Sequence, residues 1–421
     1  MRMLVVSAAF GQEGRPCSHH VTDRVAELRR HGVAVDVLTE KPPKPPCEAL
    51  VRDVGIHAVS HKPWKATAGT RAVQRLWTVA TSPAAVARWV FGQAVGGRER
   101  FAHWEWPDRA VAYALGRLPL ASYDLIYSTG GPASAHLAAR RLARHARRPW
   151  VAEIQDPIIF DGVDRAPFNA SRRDMGHLRR AEEALNACDA LVCVTRTCRD
   201  YYRARLNKSE VHHIYPGASP AALSGAAAVP GNAASSRRLV FLHAGSLPRG
   251  RHVDIFGEAV QQRRLEERVE LCLAGHADAG VIQAIRRYPE FVRHIGRLTR
   301  AEVAAAVAST DVCLVVQHTA PISALTIPSK LYEYGAYRAS VLFLGYRNEE
   351  VLEMAGKLSF YCVDQAQPEA VAATLESLVE AGSGKLAKMT PVSAADAASE
   401  FLAVCGQAVA GLTTHGRSRH S

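Results

Sequence analysis

The segment Ile327–Tyr337 places a serine, a lysine and a carboxylate at what its pattern predicts to be the start of a helix. Two apolar, strand-like runs flank it, so the helix would begin at the edge of a parallel sheet where α/β proteins bind ligands. The free N–H groups of a helix start attract phosphate, Ser329 and Lys330 add donors, and Glu333 can accept from sugar hydroxyls. This chemistry suits a nucleoside diphosphate with its ribose. The alternative is an ordinary amphipathic helix that buries Leu331 and leaves its charges solvated.

A glycine-bearing loop in the same half follows a predicted strand, Leu239–Ala244. Gly245 and Gly250 allow close approach of the backbone, and Arg249 or Arg251 could pair with a diphosphate through parallel hydrogen bonds. The alternative is that both arginines are solvated. The chain contains no Asp-x-Asp pair, so a metal–diphosphate site of that kind has no ligands, and we predict no metal and no cofactor.

The first half begins with a predicted strand, a loop and the predicted helix Val21–Arg30. The loop carries Gly11 and Gly14, a weak form of the phosphate-accommodating glycine loop. His19 or His20, just before this helix, could face a cleft between domains as an acid, base or donor, or could simply face solvent. We take His20 as the catalytic candidate.

Two further strand ends of the first half carry polar or small residues. Ser128 and Gly130 would let the backbone approach a ligand, whereas His136 falls within the next helix and is predicted to be structural. Asp156 stands at the tip of another strand, where a carboxylate can orient an acceptor hydroxyl or take its proton. The competing interpretation is a turn-capping Asp before Pro157.

Short β-branched runs alternate with Ala/Arg/Leu-rich helical stretches in both halves, which predicts two doubly wound α/β domains. Pro216–Ser236 has the composition of a linker. The predicted organisation is an N-terminal domain over 1–217 with an insertion at 61–120, a linker over 218–236, a C-terminal domain over 237–395, a helix over 396–412 and a disordered tail over 413–421. The predicted strands are Leu4–Ser7, Val33–Leu38, Ile56–Ser60, Leu125–Ser128, Trp150–Ile154, Ala190–Thr195, Val211–Tyr215, Leu239–Ala244, Val269–Ala274, Val292–Ile295, Val312–Val316, Val341–Leu344 and Phe360–Val363.

Composition indicates a globular protein: 421 residues, 48% hydrophobic and 22% charged. Its nine cysteines form no Cys-x-x-Cys pair, which favours a cytoplasmic protein with reduced thiols. The longest uncharged stretch is rich in proline and glycine and cannot be a membrane helix. Residues 1–217 hold 32 Lys and Arg against 21 Asp and Glu, out of a net charge of +12, so this half should meet something acidic. No motif favours nucleic acid.

The insertion 61–120 combines basic residues with five of the six tryptophans. Such a surface could touch the inner face of the plasma membrane or a lipid-linked or anionic acceptor. The alternative is that the tryptophans pack this segment onto its own sheet. The tryptophans are Trp64, Trp77, Trp89, Trp104 and Trp106.

Taken in order, these motifs resemble glycosyltransferase family 4, whose members are sugar-nucleotide transferases of the GT-B fold with two Rossmann-like domains facing a cleft. The resemblance rests on the glycine loop, Asp156-Pro157, Gly245-Ser246-Leu247-x-x-Gly250, Gly296 and Ser329-Lys330-Leu331-x-Glu333-Tyr334. It implies a donor bound by the C-terminal domain, an acceptor bound by the N-terminal domain, retention of anomeric configuration and no obligatory metal. The resemblance is closest to members with the sequence Ser-Lys-Leu-x-Glu-Tyr, which often act in bacterial surface polysaccharide assembly.

The resemblance also implies roles for individual residues. Glu333 matches the second Glu of the family's Glu-x7-Glu element and would hold the donor ribose, while Leu325 replaces the first Glu. Arg249 and Lys330 would contact the diphosphate. The candidate donor contacts are Gly245, Ser246, Arg249, Arg251, Ser329, Lys330, Leu331 and Glu333, and the candidate acceptor contacts are Gly11, Gly14, Ser128 and Gly130.

The sequence therefore predicts a glycosyltransferase of the hexosyltransferase type that uses a nucleoside-diphosphate sugar. Two alternatives stay open at this point. One is a sugar-nucleotide 2-epimerase of the same fold, which would leave the Trp/Arg insertion unexplained. The other is a non-catalytic nucleotide-sugar-binding protein, which the Leu325 substitution makes plausible.

Overall fold

The structure is a computed structural model that describes residues 1–12, 16–44, 51–60, 98–159, 172–218, 238–245, 247, 251–318, 321–346 and 348–418. In these residues the chain forms two parallel sheets. The first comprises β1 (Arg2–Val6), β2 (Ala34–Thr39), β3 (Gly55–Ala58), β4 (Leu125–Thr129), β5 (Trp150–Ile154), β6 (Ala190–Cys193) and β7 (Val211–His213). The second comprises β8 (Leu239–Ala244), β9 (Val269–Ala274), β10 (Val292–Gly296), β11 (Val312–Val316), β12 (Val341–Gly345) and β13 (Tyr361–Asp364).

Helices cover both faces of each sheet, which is why the central strands are apolar throughout instead of alternating. The N-terminal helices are α1 (Pro16–Arg30), α2 (Arg98–Arg117), α3 (Ser134–Ala146), α4 (Arg172–Ala184) and α5 (Arg196–Leu206). The C-terminal helices are α6 (Asp254–Gln262), α7 (Ala279–Arg287), α8 (Arg300–Ala308), α9 (Ser329–Ala336), α10 (Glu349–Leu358), α11 (Pro368–Ala381) and α12 (Ala394–Ser418).

In both sheets the order in which successive strands are added reverses at the centre of the sheet. The first runs β3-β2-β1-β4-β5-β6-β7 and the second β10-β9-β8-β11-β12-β13, with every pairing parallel. The order switches beside β1 in one domain and beside β8 in the other. A crevice opens at such a switch point, outside the carboxyl ends of the strands. The fold thus confirms the predicted pair of Rossmann-like domains.

The predicted strands are all present, with ends that differ by at most two residues. Helix α1 begins at Pro16 instead of Val21, so His19 and His20 lie inside its first turns. The linker predicted over 218–236 falls almost wholly outside the described residues. At the C-terminus, the sequence prediction was wrong in part, because α12 continues to Ser418 within the tail predicted to be disordered.

Helix α12 returns to the N-terminal domain. Its Phe401 packs edge-on against Tyr127 with ring centroids 4.7 Å apart, and the guanidinium of Arg24 lies 5.2 Å from the Phe401 ring. Cys405, one turn further, is fully buried in the same core. The helix therefore connects the end of the C-terminal domain to the packing beneath α1.

The tryptophans of the insertion that the structure describes belong to the packing of the N-terminal domain. Trp106 is fully buried in α2, and its Nε1 donates to the carbonyl of Val59 at 2.9 Å. Trp104 stacks on His177 with ring centroids 5.0 Å apart. The alternative of core packing is thus correct for Trp106. Trp64, Trp77 and Trp89 lie outside the described residues.

Candidate active site

Helix α9 is fixed in place by its buried face. Leu331, Tyr332 and Tyr334 are almost fully buried, and the Tyr334 hydroxyl accepts a hydrogen bond of 2.9 Å from the Ala244 amide at the end of β8. Pro328, the residue before α9, provides no side-chain cap for the helix. The Leu331 amide donates to the Pro328 carbonyl at 3.0 Å, so Ser329 and Lys330 supply the N–H groups that this helix start can offer at the switch point of the second sheet.

Lys330 passes directly over Gly245. A Cβ atom built on Gly245 would lie 2.3 Å from the Lys330 Cε and 2.9 Å from its Nζ. The missing side chain at Gly245 is what lets the lysine reach the loop after β8. Two of the predicted donor contacts are thus brought together by one steric requirement.

Glu333 lies one turn along α9 and is half-buried, in the zone between the domains. Its carboxylate acts electrostatically on His19 of α1 and on Arg300 at the start of α8. Ser329 is half-buried at the start of α9. By contrast, Leu331 is completely buried and its amide donates to the Pro328 carbonyl at 3.0 Å, so neither its side chain nor its N–H is available to a donor.

Arg300 joins the domains through α1. Its two terminal nitrogens donate to the two carboxylate oxygens of Asp23 at 3.0 and 2.7 Å. Burial opposes the guanidinium charge, but the hydrogen bonds and the attraction of Asp23 prevail and raise the pKa of Arg300. This bidentate pair fixes α1 opposite α8 and α9. The sequence contained no signal for it, because the partners are far apart in the chain.

His20 faces the interior of its own domain. Its Nε2 lies 3.0 Å from Oε1 of Glu153 at the end of β5, and its side chain is only 8% exposed. Arg24 donates to the same carboxylate oxygen at 3.2 Å, and the Tyr127 hydroxyl donates to the other. Burial alone would raise the pKa of Glu153, but the neighbouring His20 and Arg24 hold this pKa well below its usual range. His20 is therefore a packing residue in this structure, contrary to its selection as the catalytic histidine.

His19, the neighbour of His20, faces the cleft. Its Nε2 is shielded from solvent and has no hydrogen-bond partner among the described residues. Burial lowers the pKa of His19; Glu333 and Asp23 act to raise it, whereas Arg300 and Lys330 lower it further. The imidazole is thus surrounded by charges from both domains.

Ser128 and Gly130 serve packing instead of an open site. The Ser128 hydroxyl lies 2.9 Å from Nδ1 of His136 and accepts a hydrogen bond of 2.7 Å from Nε1 of Trp150, all buried. A Cβ on Gly130 would lie 2.9 Å from the His136 Nε2. Burial lowers the pKa of His136 to about 4, which agrees with the structural role predicted for it. The side chain of Ser128 is therefore closed to an acceptor.

Gly11 has a positive φ of 63° and packs tightly on Pro43, where a Cβ would lie 2.5 Å from the proline Cβ. Its amide donates to the Thr22 hydroxyl at 3.1 Å and its carbonyl accepts from the Lys44 amide at 2.8 Å. Both backbone groups are thus already used within the domain. Gly14, Ser246 and Arg249 lie outside the described residues.

Asp156 and Arg251 connect the two domains electrostatically. Asp156 is exposed just beyond β5, and Arg251 follows the loop after β8. Burial lowers the pKa of Arg251, and the Asp156 carboxylate opposes that shift. The Arg251 guanidinium is thus a partly desolvated cation within electrostatic reach of Asp156, which follows β5.

Glu350, at the start of α10, forms several hydrogen bonds between the domains that the sequence did not predict. Its carboxylate accepts from the amides of Arg196 and Thr197 at 2.7 and 2.9 Å, at the start of α5, and from the Tyr215 hydroxyl at 2.8 Å. A C-terminal-domain carboxylate therefore caps an N-terminal-domain helix. Nearby, the Thr195 hydroxyl donates to the Leu325 carbonyl at 2.8 Å, so the position that lacks the family glutamate lies at this contact.

These features define a class. Two Rossmann-like domains face each other, the start of α9 lies at the switch point of the second, and the last helix returns to the first; this is the GT-B architecture. Solved structures with this fold include HepE from Anabaena in complex with UDP-glucose, at 16% identity and a TM-score of 0.61, covering 98% of this chain and 100% of that one. Sucrose-phosphate synthase from Thermosynechococcus elongatus gives 13% identity and a TM-score of 0.64, covering 100% and 99%.

The family model described as Glycosyltransferase Family 4 matches residues 18–221. The first half of the chain thus matches the family that its motifs resemble, and the whole chain has the GT-B fold. No curated protein matches it. Among the described residues, no helix is both long and apolar enough to cross a membrane.

Proposed function

We propose that this protein is a glycosyltransferase, which moves a sugar from a nucleoside-diphosphate sugar to a hydroxyl of an acceptor bound by the N-terminal domain. The observation that carries the proposal is the passage of Lys330 over Gly245, beside the free start of α9 and one turn from Glu333. A cation, free N–H groups and a carboxylate in this order match a diphosphate followed by a ribose. HepE, with the same fold, has been seen with UDP-glucose and UDP, which supports a donor of this type.

Each charged group then has a task. Lys330 and Arg251 bind the diphosphate and stabilise the negative charge that grows on it as the sugar leaves. Glu333 accepts hydrogen bonds from the ribose hydroxyls. Asp156 orients the acceptor hydroxyl from the other side of the cleft. We further propose that the anomeric configuration is retained, in which case the departing diphosphate can itself take the acceptor proton.

Transfer is also proposed to need no metal, because the cationic side chains of Lys330 and Arg251 can supply the charge compensation that a divalent ion provides in other transferases.

The acceptor is proposed to be a lipid-linked or anionic molecule in bacterial surface polysaccharide or glycolipid assembly. The basic N-terminal half supports this, as do exposed arginines on α3 and α4.

The test is a panel of UDP-, GDP-, TDP- and ADP-sugars incubated with the protein, with and without sugar-diphosphate-lipid acceptors. We expect one class of donor to release free nucleoside diphosphate faster when acceptor is present, and to do so equally in EDTA. NMR of the product should show the donor's anomeric configuration. An epimerised donor without release would establish the isomerase instead, and complete loss in EDTA, restored by Mg²⁺ or Mn²⁺, would refute metal independence.

A further inference from the structure

The part of the cleft wall that belongs to α1 holds a histidine whose surroundings suit a ligand. His19 is half-buried, and its Nε2 is shielded from solvent without a hydrogen-bond partner among the described residues. A buried polar nitrogen without a partner is costly, so such atoms are usually satisfied when the site is occupied. This nitrogen lies in the electrostatic reach of Lys330 and Glu333, the residues proposed above to bind diphosphate and ribose.

We propose that His19 is a donor-binding residue contributed by the N-terminal domain, hydrogen-bonding the diphosphate beside Lys330 through Nε2. This inference rests on the proposed function. Helix α1 would then take part in binding the donor, and the donor site would consist of residues from both domains.

The position of His19 is set by the packing of its neighbours. His20 and Arg24 are held by the buried Glu153, and Asp23 is held by Arg300 of the other domain. The α1 backbone is therefore fixed on both sides of the residue. His19 needs no rearrangement of its helix to present its ring to the cleft.

The charges around His19 predict a link between donor binding and proton uptake. In this structure, burial, Arg300 of α8 and Lys330 of α9 favour the neutral imidazole, against Asp23 of α1 and Glu333 of α9. A diphosphate brings negative charge that offsets the two cations and attracts a proton to the ring. The pKa of His19 should therefore rise on binding, so that protons are taken up at neutral pH.

Calorimetry with nucleoside diphosphates tests this. The wild-type protein is titrated at pH 7 with UDP, GDP, TDP and ADP, each in buffers of different ionisation enthalpy, which yields both the Kd and the number of protons taken up. For the nucleotide that binds, we expect a fractional proton uptake. His19→Ala should weaken binding about tenfold or more and abolish the uptake. His19→Gln can still donate one hydrogen bond but cannot titrate, so it should recover part of the affinity and none of the uptake.

His145→Gln, an exposed histidine on α3, is the matched control and should behave as wild type. Glu333→Ala separates the two proposals. If wild type binds, Glu333→Ala does not, and both His19 variants keep the wild-type Kd and proton count, the role of His19 is refuted while the donor site stands. If wild type binds none of the four nucleotides, the proposed function fails and this inference fails with it.

Discussion

Lys330 depends on the absence of a side chain at Gly245, which makes this pair the sharpest test of the donor site at the scale of single residues. In Gly245→Ala, the new methyl would lie only 2.3 Å from the Lys330 Cε, which is too close for both to keep their positions. The flexible end of the lysine can move aside, so Tm should fall only modestly, because of the φ of +156° that alanine must adopt. The displaced lysine should nevertheless lower donor affinity at least severalfold, as measured by calorimetry. Gly356→Ala on α10, where nothing lies within 4 Å, should leave donor affinity unchanged and should not lower Tm, because alanine favours the helix.

Removing the carboxylate of Glu333 should affect donor binding more than folding. Hydrogen bonds to a charged group contribute roughly 1.5–3 kcal/mol, so Glu333→Ala should weaken nucleotide-sugar binding by roughly 10- to 100-fold. Glu290→Ala, an exposed carboxylate of the same domain, should bind as wild type. Unchanged donor affinity in Glu333→Ala would refute the ribose role.

The sequence predicted which loops reach the site better than which side chains face it. Lys330, Glu333 and Gly245 were identified because helix starts and glycine loops have local signatures. The sequence could not show that His20 lies against Glu153 while His19 faces the cleft, because successive helix residues point about 100° apart and the start of α1 was placed five residues late. The burial of the Ser128 side chain was not predicted, because its partners, His136 and Trp150, become neighbours only in the folded sheet.

At the scale of elements, α5 is capped from the other domain, and no sequence rule predicts such a cap. Glu350 satisfies the amides of Arg196 and Thr197, which would otherwise be unpaired. Glu350→Ala should therefore destabilise the protein by about 2–4 kcal/mol, since it removes a buried acceptor of several hydrogen bonds. Thermal unfolding measures this.

The matched control is Glu349→Ala, in the same first turn of α10 but exposed. Both variants lose one negative charge near the helix start, so both lose the same interaction with the helix dipole, worth under about 1 kcal/mol. A fall in Tm no larger for Glu350→Ala than for Glu349→Ala would show that the contact between the domains contributes nothing to stability.

For the whole molecule, the buried His136 and the half-buried His213 predict acid sensitivity. Burial lowers the pKa of both His136 and His213 to about 4. The unfolded chain binds these protons near the ordinary value of about 6.5, so the stabilisation is complete above that pH and is lost as pH falls toward 4. Tm should therefore drop across this window. His136→Gln should flatten the drop and exposed His145→Gln should not; equal slopes in all three proteins would contradict the assignment.

The uneven charge of the whole molecule predicts salt-sensitive binding of the N-terminal domain to anionic membranes. Arg140 and Arg144 on α3 and Arg180 on α4 are exposed on adjacent helices. Each basic residue near an anionic surface contributes about 1 kcal/mol at low salt, and the field extends only about 8 Å at physiological ionic strength. The triple variant with Ser at these positions should co-sediment less with phosphatidylserine vesicles at low salt, with unchanged nucleotide binding.

A control with Ser at Arg286, Lys385 and Lys388 of the other domain removes the same charge and should sediment as wild type. If both variants lose binding equally, net charge and not this surface attracts the membrane; if neither does, the basic half has another purpose and a soluble acceptor becomes the better interpretation.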